Sequence, residues 1–172
     1  TCTKTGLTEG KHCSVCDAII KAQETVPATG HKYVDTVVKP TYTEKGYTLH
    51  KCSVCGTGYK DTYTAKLTLA KVTGVKLGGR AADALRINWT KNTSADGYIV
   101  EMYQGNKWVR AAKITNNGTT TFRKAGLSAS TVYKFRVKAY KMEGKTAVYS
   151  EYSATVAART NPSVMTGAKL TG

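Results

Sequence analysis

Gly126-Leu127-Ser128-Ala129-Ser130-Thr131-Val132-Tyr133-Lys134-Phe135-Arg136-Val137-Lys138-Ala139-Tyr140 decides how the larger part of this chain folds. After the glycine and a short polar turn, Tyr133, Phe135, Val137 and Ala139 alternate with Lys134, Arg136, Lys138 and Tyr140. Successive side chains of a strand point to opposite faces, so a period of two gathers the first set on one face of a sheet. The same alternation recurs upstream: Leu85, Ile87 and Trp89 against Arg86, Asn88 and Thr90, then Tyr98, Val100 and Met102 against Ile99, Glu101 and Tyr103. Three strands therefore share one buried layer. Short alternating runs separated by Gly, Asn and Ser turns continue from Val72 onward, the pattern of an all-β sandwich.

In detail the opening stretch resembles the late corner and following strand of a fibronectin type III domain. There a Leu precedes a turn, and a Tyr opens the strand with its hydroxyl bonded back to the backbone. Trp89 is then similar to that family's core tryptophan, Tyr98 to its next-strand tyrosine and Ser153 to Arg159 to its last strand. The resemblance covers residues 70–160 and implies an immunoglobulin-like sandwich. Since no cysteine lies beyond Cys55, an inter-sheet disulfide is excluded there. Packing of Trp89 and Tyr133 must hold the sheets together, and loss of either is expected to cost about 3–5 kcal/mol.

Composition divides the chain in two. All five Cys and all three His lie at or before Cys55, whereas all six Arg lie at or beyond Arg80. Residues 1–66 carry nine Lys against six acidic residues, and residues 67–160 carry sixteen basic against five acidic, so most of the +15 net charge belongs to the second part. Such basicity informs solubility and encounter rather than fold. The 27 Thr and 11 Tyr, with only 3 Pro, favour strands over helices. No apolar run approaches the roughly 20 residues that span a bilayer, and Thr1-Cys2-Thr3-Lys4 is no signal peptide. Both ends read as cut from something longer, with residues 161–172 expected to be a linker to a further domain.

The first part repeats one phrase, Cys13-Ser14-Val15-Cys16 and Cys52-Ser53-Val54-Cys55. The repeat extends upstream, where Gly6-Leu7-Thr8 faces Gly46-Tyr47-Thr48. Each copy reads as a strand, a C-x2-C knuckle and a return strand. Units this small bury too little apolar surface to stand alone and need a staple. Structural zinc, which takes four Cys or His ligands tetrahedrally, offers two sets. Cys13, Cys16, Cys52 and Cys55 would join both knuckles. Cys2, Cys13, Cys16 and His31 would complete a site within the first copy, leaving Cys52 and Cys55 as a thiol pair or a local disulfide. Disulfides alone are the third possibility. His12 and His50, each beside a knuckle, read as surface residues.

Residues 1–64, from Cys2 through the first knuckle to Gly30-His31, resemble the tandem cysteine repeats of large secreted proteins of Gram-positive anaerobic bacteria. In those repeats a Cys, a C-x2-C and a downstream Gly-His recur together. The resemblance implies the mixed cysteine and histidine set and no activity. The second copy departs from it, with Tyr42 in the place of Cys2 and no His after Cys55.

Catalytic constellations are missing from the pattern. A Ser, His and Asp set needs a histidine near its nucleophile, yet every His lies in the cysteine part. A dithiol oxidoreductase needs its C-x2-C at a helix start, and no helix is predicted. A nucleic-acid-binding zinc ribbon is the rival for the cysteine part; it would be expected to interleave aromatics with basic residues around the knuckles, but the net charge of +3 there, without any Arg, speaks against it. The reading is a non-enzymatic fragment of a large secreted or cell-surface bacterial protein: a zinc-stapled β module over residues 1–66, then a fibronectin type III sandwich. Its partners would be other domains of the same polypeptide, with the chain itself a monomer that neither inserts in membranes nor binds nucleic acid. The alternative is a carbohydrate- or cell-wall-binding module whose outward face carries Tyr103, Trp108, Lys134, Arg136, Lys138 and Tyr140. On the bland view, strand lysines there simply guard the sheet against aggregation.

Overall fold

A computed structural model describes residues 1–163, so most of the expected linker, from residue 164 on, lies outside the described residues. The chain divides between Lys66 and Leu67 into two compact units. Every regular element among the described residues is a strand, and no helix is long and apolar enough to cross a membrane.

The first unit holds β1 (Gly6–Leu7), β2 (Lys11–His12), β3 (Ile19–Lys21), β4 (Thr25–Val26), β5 (Tyr33–Val38), β6 (Gly46–Cys52) and β7 (Gly58–Thr64). Its sequence repeat is also a structural one. In the first copy β1 pairs with β4 and β2 with β3, whereas in the second β6 pairs with β7 as one continuous hairpin. Between Thr8 and Cys13 the first copy carries one residue more than the second does between Thr48 and Cys52. That extra residue accounts for the break between β1 and β2. The second hairpin also gains a third strand, because β5 pairs antiparallel with β6 from Tyr33↔Cys52 to Val38↔Tyr47.

This unit has almost no apolar core. Up to Lys66 the buried hydrophobic residues are Cys2 and Cys52, while Leu7, Ile19, Ile20, Val34 and Val37 are exposed. An aromatic row partly compensates: His31 stacks on Tyr33, Tyr33 meets Tyr59 edge-on, and Tyr59 stacks on His50.

The second unit is a two-sheet sandwich. Its strands are β8 (Lys76–Arg80), β9 (Ala84–Asn88), β10 (Gly97–Gln104), β11 (Lys107–Ile114), β12 (Thr121–Ala125), β13 (Val132–Glu143), β14 (Thr146–Tyr149) and β15 (Val156–Arg159). One sheet runs β12-β9-β8; the other runs β11-β10-β13-β14, with β15 also on β13. Leu85, Ile87, Trp89, Tyr98, Val100, Met102, Phe135, Val137 and Ala139 are all buried between them, the layer the alternation predicts. Tyr133 is only half-buried. Gly105 and Asn106, both at positive φ, form the tight β10–β11 turn.

Along β13 the partner changes from β14 to β15, and the gap is closed by side chains. The buried Ser150 and Ser153 hydroxyls accept hydrogen bonds from the Ala139 and Val137 amides at 2.9 and 3.0 Å. The last strand accordingly starts at Val156 rather than at Ser153. The residues that join the two repeats to the sandwich are partly structured. Asp61 to Thr64 finish β7, and Leu69 is buried.

Candidate metal centre

The knuckle at Cys52 is built by backbone before any ligand is considered. Cys52 N donates to Thr57 O at 2.8 Å and Gly56 N donates to Cys52 O at 2.9 Å. The turn closes through Gly56 at φ 76°, a conformation that suits a residue without a side chain. Pairing of β5 with β6 then brings the end of the Gly30-His31 loop alongside, where Ser53 N donates to Lys32 O at 2.9 Å. Gly30 N in turn donates to Cys2 O at 3.0 Å, tying the N-terminal cysteine to the same loop.

The result is a cluster of Cys2, His31, Cys52 and Cys55, whose ligand atoms all lie within 4.8 Å of one another and which could hold a metal ion. Cys2 Sγ lies 3.9 Å from Cys52 Sγ, and Cys55 Sγ lies 3.3 Å from His31 Nδ1. Cys2 and Cys52 are 6% and 1% exposed, whereas Cys55 is at the surface. All five cysteines are free thiols in this structure, and Cys52 and Cys55, considered from sequence as a thiol pair or local disulfide, both stand in the cluster.

Electrostatics divide the cluster. The Cys52 thiol is lowered to about 5, chiefly because the Cys55 amide donates to it, with the His31 ring contributing. Hydrogen bonds from Thr57 lower Cys55. Burial raises Cys2, helped by the neighbouring thiols. The Cys52 and Cys55 sulfurs raise His31. Thiolates are the form that binds metal, and the site favours them at the knuckle.

This set is neither of the two read from sequence; it takes Cys2 and His31 from one and Cys52 and Cys55 from the other. Cys13 and Cys16 stay outside it. The reason is topological: the ligands of the first copy are carried by β5 and its loop to the knuckle of the second copy. The repeat is a donor to its neighbour rather than a closed unit.

His50, expected at the surface, is instead held between strands. Its Nδ1 lies 2.6 Å from Asp35 Oδ1 on β5, and its Nε2 lies 2.8 Å from Asp61 Oδ1 on β7. Asp61 chiefly, with Asp35, raises its pKa against the opposing effect of burial. His12 is exposed beside Asp17.

The outward face of the sandwich is occupied by its own residues. Arg136 donates two hydrogen bonds to Glu101 Oε2, at 2.7 and 2.9 Å. Its guanidinium lies 4.3 Å from the Trp108 ring centroid and 3.6 Å from that of Tyr152. Tyr152 donates to Glu101 Oε1. Lys138 sits over Tyr149 and Tyr152, and Lys134 over Tyr103, which meets Trp108 edge-on. Tyr140 does not line an open platform: it is buried, in register with Gly97, and a side chain on Gly97 would collide with its ring. Sequence alternation groups Tyr140 with the outward residues but says nothing of Gly97, whose lack of a side chain leaves room for its ring.

At the corner that opened the sequence reading, Ser128 N donates to Tyr133 Oη at 2.9 Å. Tyr98 Oη accepts from Asn92 N and donates to Asn117 O. Trp89 meets Tyr98 edge-on in the core. The family model described as fibronectin type III domain matches residues 70–156, half of the chain. The chain belongs to the fibronectin type III family. Among solved structures, the fibronectin type III domain of human collagen alpha-1(XX) is similar at TM-score 0.50 and 14% identity, over 62% of this chain and 98% of that one. The sixth such domain of human fibronectin type III domain containing protein 3 gives 0.49 and 20%, over 62% and 98%. A Fn3-like protein from Clostridium thermocellum gives 0.44 and 20%, over 58% and 100%. At 14% identity the likeness to the collagen domain is one of fold. No curated protein matches the chain. Fibronectin type III domains are typically non-catalytic modules, and the match leaves residues 1–69 uncovered.

Proposed function

We propose that the chain is a non-catalytic spacer or presentation segment of a larger secreted or cell-surface bacterial protein, with a structural zinc ion at Cys2, His31, Cys52 and Cys55. One observation carries the zinc reading: the residues that fill the interior of the first unit are themselves ligands, and no aliphatic side chain there is buried. Zinc bonds of about 2.3 Å to sulfur and 2.0–2.1 Å to nitrogen give tetrahedral edges of roughly 3.8 Å between sulfurs and roughly 3.5 Å between sulfur and nitrogen. The observed 3.9 and 3.3 Å contacts stand close to that. With all four positions filled by protein, such a site would serve folding and leave no place for substrate.

The spacer reading is supported over glycan or cell-wall binding by the outward face, where Arg136 and Lys138 are already stacked on the domain's own rings. Its partners would be neighbouring domains of the same polypeptide. The test is metal content and thiol count on purified protein. One zinc and two freely reactive thiols, those of Cys13 and Cys16, are expected; absence of metal would remove the zinc reading. Reproducible binding on a glycan array or to cell wall, lost in Trp108→Ala, would replace the spacer reading with a carbohydrate-binding one.

A further inference from the structure

The Cys13 knuckle repeats the Cys52 knuckle bond for bond. Cys13 N donates to Ala18 O at 2.8 Å and Asp17 N donates to Cys13 O at 3.0 Å, each partner at the same spacing as Thr57 and Gly56 from Cys52. Asp17 takes the positive φ that Gly56 takes in the second copy. The turn upstream is copied as well: Lys4 N donates to Thr1 Oγ1 and Glu44 N to Thr41 Oγ1, each at 2.9 Å.

What the second hairpin has and the first lacks comes from one source. Its two further ligands, Cys2 and His31, and its third strand, β5, all belong to the preceding repeat. Among the described residues no strand pairs with the other edge of β1 or β2. Apolar side chains of this hairpin also lie open, with Leu7 61%, Val15 93%, Ile19 75% and Ile20 70% exposed. The Leu7 counterpart in the completed hairpin, Tyr47, is half-buried. An unpaired edge beside exposed aliphatic residues is a surface made for strand addition.

From this we infer that Cys13 and Cys16 are the acceptor half of a second metal site. The site is completed by another repeat of the same kind, placed ahead of this one in the polypeptide, which supplies a Cys, a Gly-His and the strand that follows. The inference rests on the metal reading of the first site. Each repeat is then an acceptor for the one before and a donor to the one after, and metal ions lie between repeats. The second copy, with Tyr42 in the cysteine position, accepts without donating. The series ends there, beside the fibronectin type III domain.

The test adds a donor. Residues 1–40 are fused in front of Thr1 of the full chain, so that Pro40 runs into Thr1 as it runs into Thr41. Zinc per chain is then measured for the parent and the fusion. The parent is expected to hold one zinc and the fusion two. Cys13→Ser with Cys16→Ser in the original copy, or Cys2→Ser in the added one, is expected to return the fusion to one. Hydrogen exchange at the β1 and β2 amides should slow in the fusion by an order of magnitude or more. A fusion that holds one zinc, and is thereby shown to have folded its first site, overturns the inference. So does a second zinc that survives both changes. No zinc in either protein removes the metal reading itself, and the inference falls with it.

Discussion

The two units solve the problem of a stable interior in opposite ways. The sandwich buries Tyr98, Phe135, Leu85 and Ile87 almost completely, and its sheets hold because apolar area leaves water. The cysteine unit buries two thiols and little else. Its interior is a set of polar, titratable atoms that a bound metal ion would join into a core. The first solution is distributed over many contacts and tolerates the loss of one; the second is concentrated in four atoms.

That contrast is broken most directly by removing the zinc proposed for this cluster. Binding free energy at a structural zinc site is folding free energy, on the order of 10 kcal/mol or more. Chelation at neutral pH, or Cys52→Ser, is therefore expected to abolish cooperative unfolding of the first unit while the fibronectin type III unit keeps its own transition. Resolved amide resonances read both: signals of residues 1–66 should collapse and those of 70–160 should persist. Equal loss in both units would show that they share one core.

The complementary change lies in the sandwich. Trp89→Ala or Phe135→Ala removes a buried ring and should cost about 3–5 kcal/mol in the denaturant midpoint of the second unit, with bound metal unchanged. Tyr133 differs from the sequence expectation because its ring is half-buried. Its contribution is chiefly the hydroxyl that accepts from Ser128 N. Tyr133→Phe should cost roughly 1 kcal/mol, and a loss as large as that of Trp89→Ala would refute this division.

These outcomes also explain what could be read in advance. The sandwich layer was legible because a period of two is a local signal, carried by Leu85, Ile87 and Trp89 in and just after β9, by Tyr98, Val100 and Met102 in β10, and by Phe135, Val137 and Ala139 in β13. The ligand residue types were legible for the same reason: C-x2-C and Gly-His are short phrases. Their grouping was not, because it depends on the register of β5 against β6, which carries His31 to Cys52 and Cys55 rather than back to Cys13. Sequence spacing favours the nearer knuckle; strand pairing chooses the farther one. His50 was misread likewise, since Asp35 and Asp61 become its neighbours only across two ladders.

His50 offers the finest test, because there charge between side chains of all three strands of a sheet, Asp35, His50 and Asp61, holds the cysteine unit. Its pKa is raised above the ordinary 6.5 by Asp61 and Asp35. Its contribution is therefore complete below pH 6.5 and is lost as pH rises through its folded value. Asp61 is lowered from 3.8 by His50 first and Thr62 second, so its share is present above that value and fades as pH falls through the lower folded one. The clamp should be strongest between about pH 4 and 6.5. Zinc affinity itself weakens in acid as thiolates and His31 take up protons, so the wild type alone cannot report the clamp. The difference between wild type and His50→Gln, measured at saturating zinc from pH 6 to 9, isolates it. The wild type should lead at pH 6 and the lead should shrink as pH rises. A difference that is flat or grows would mean that His50 holds the strands by packing on Tyr59 and not by its charge.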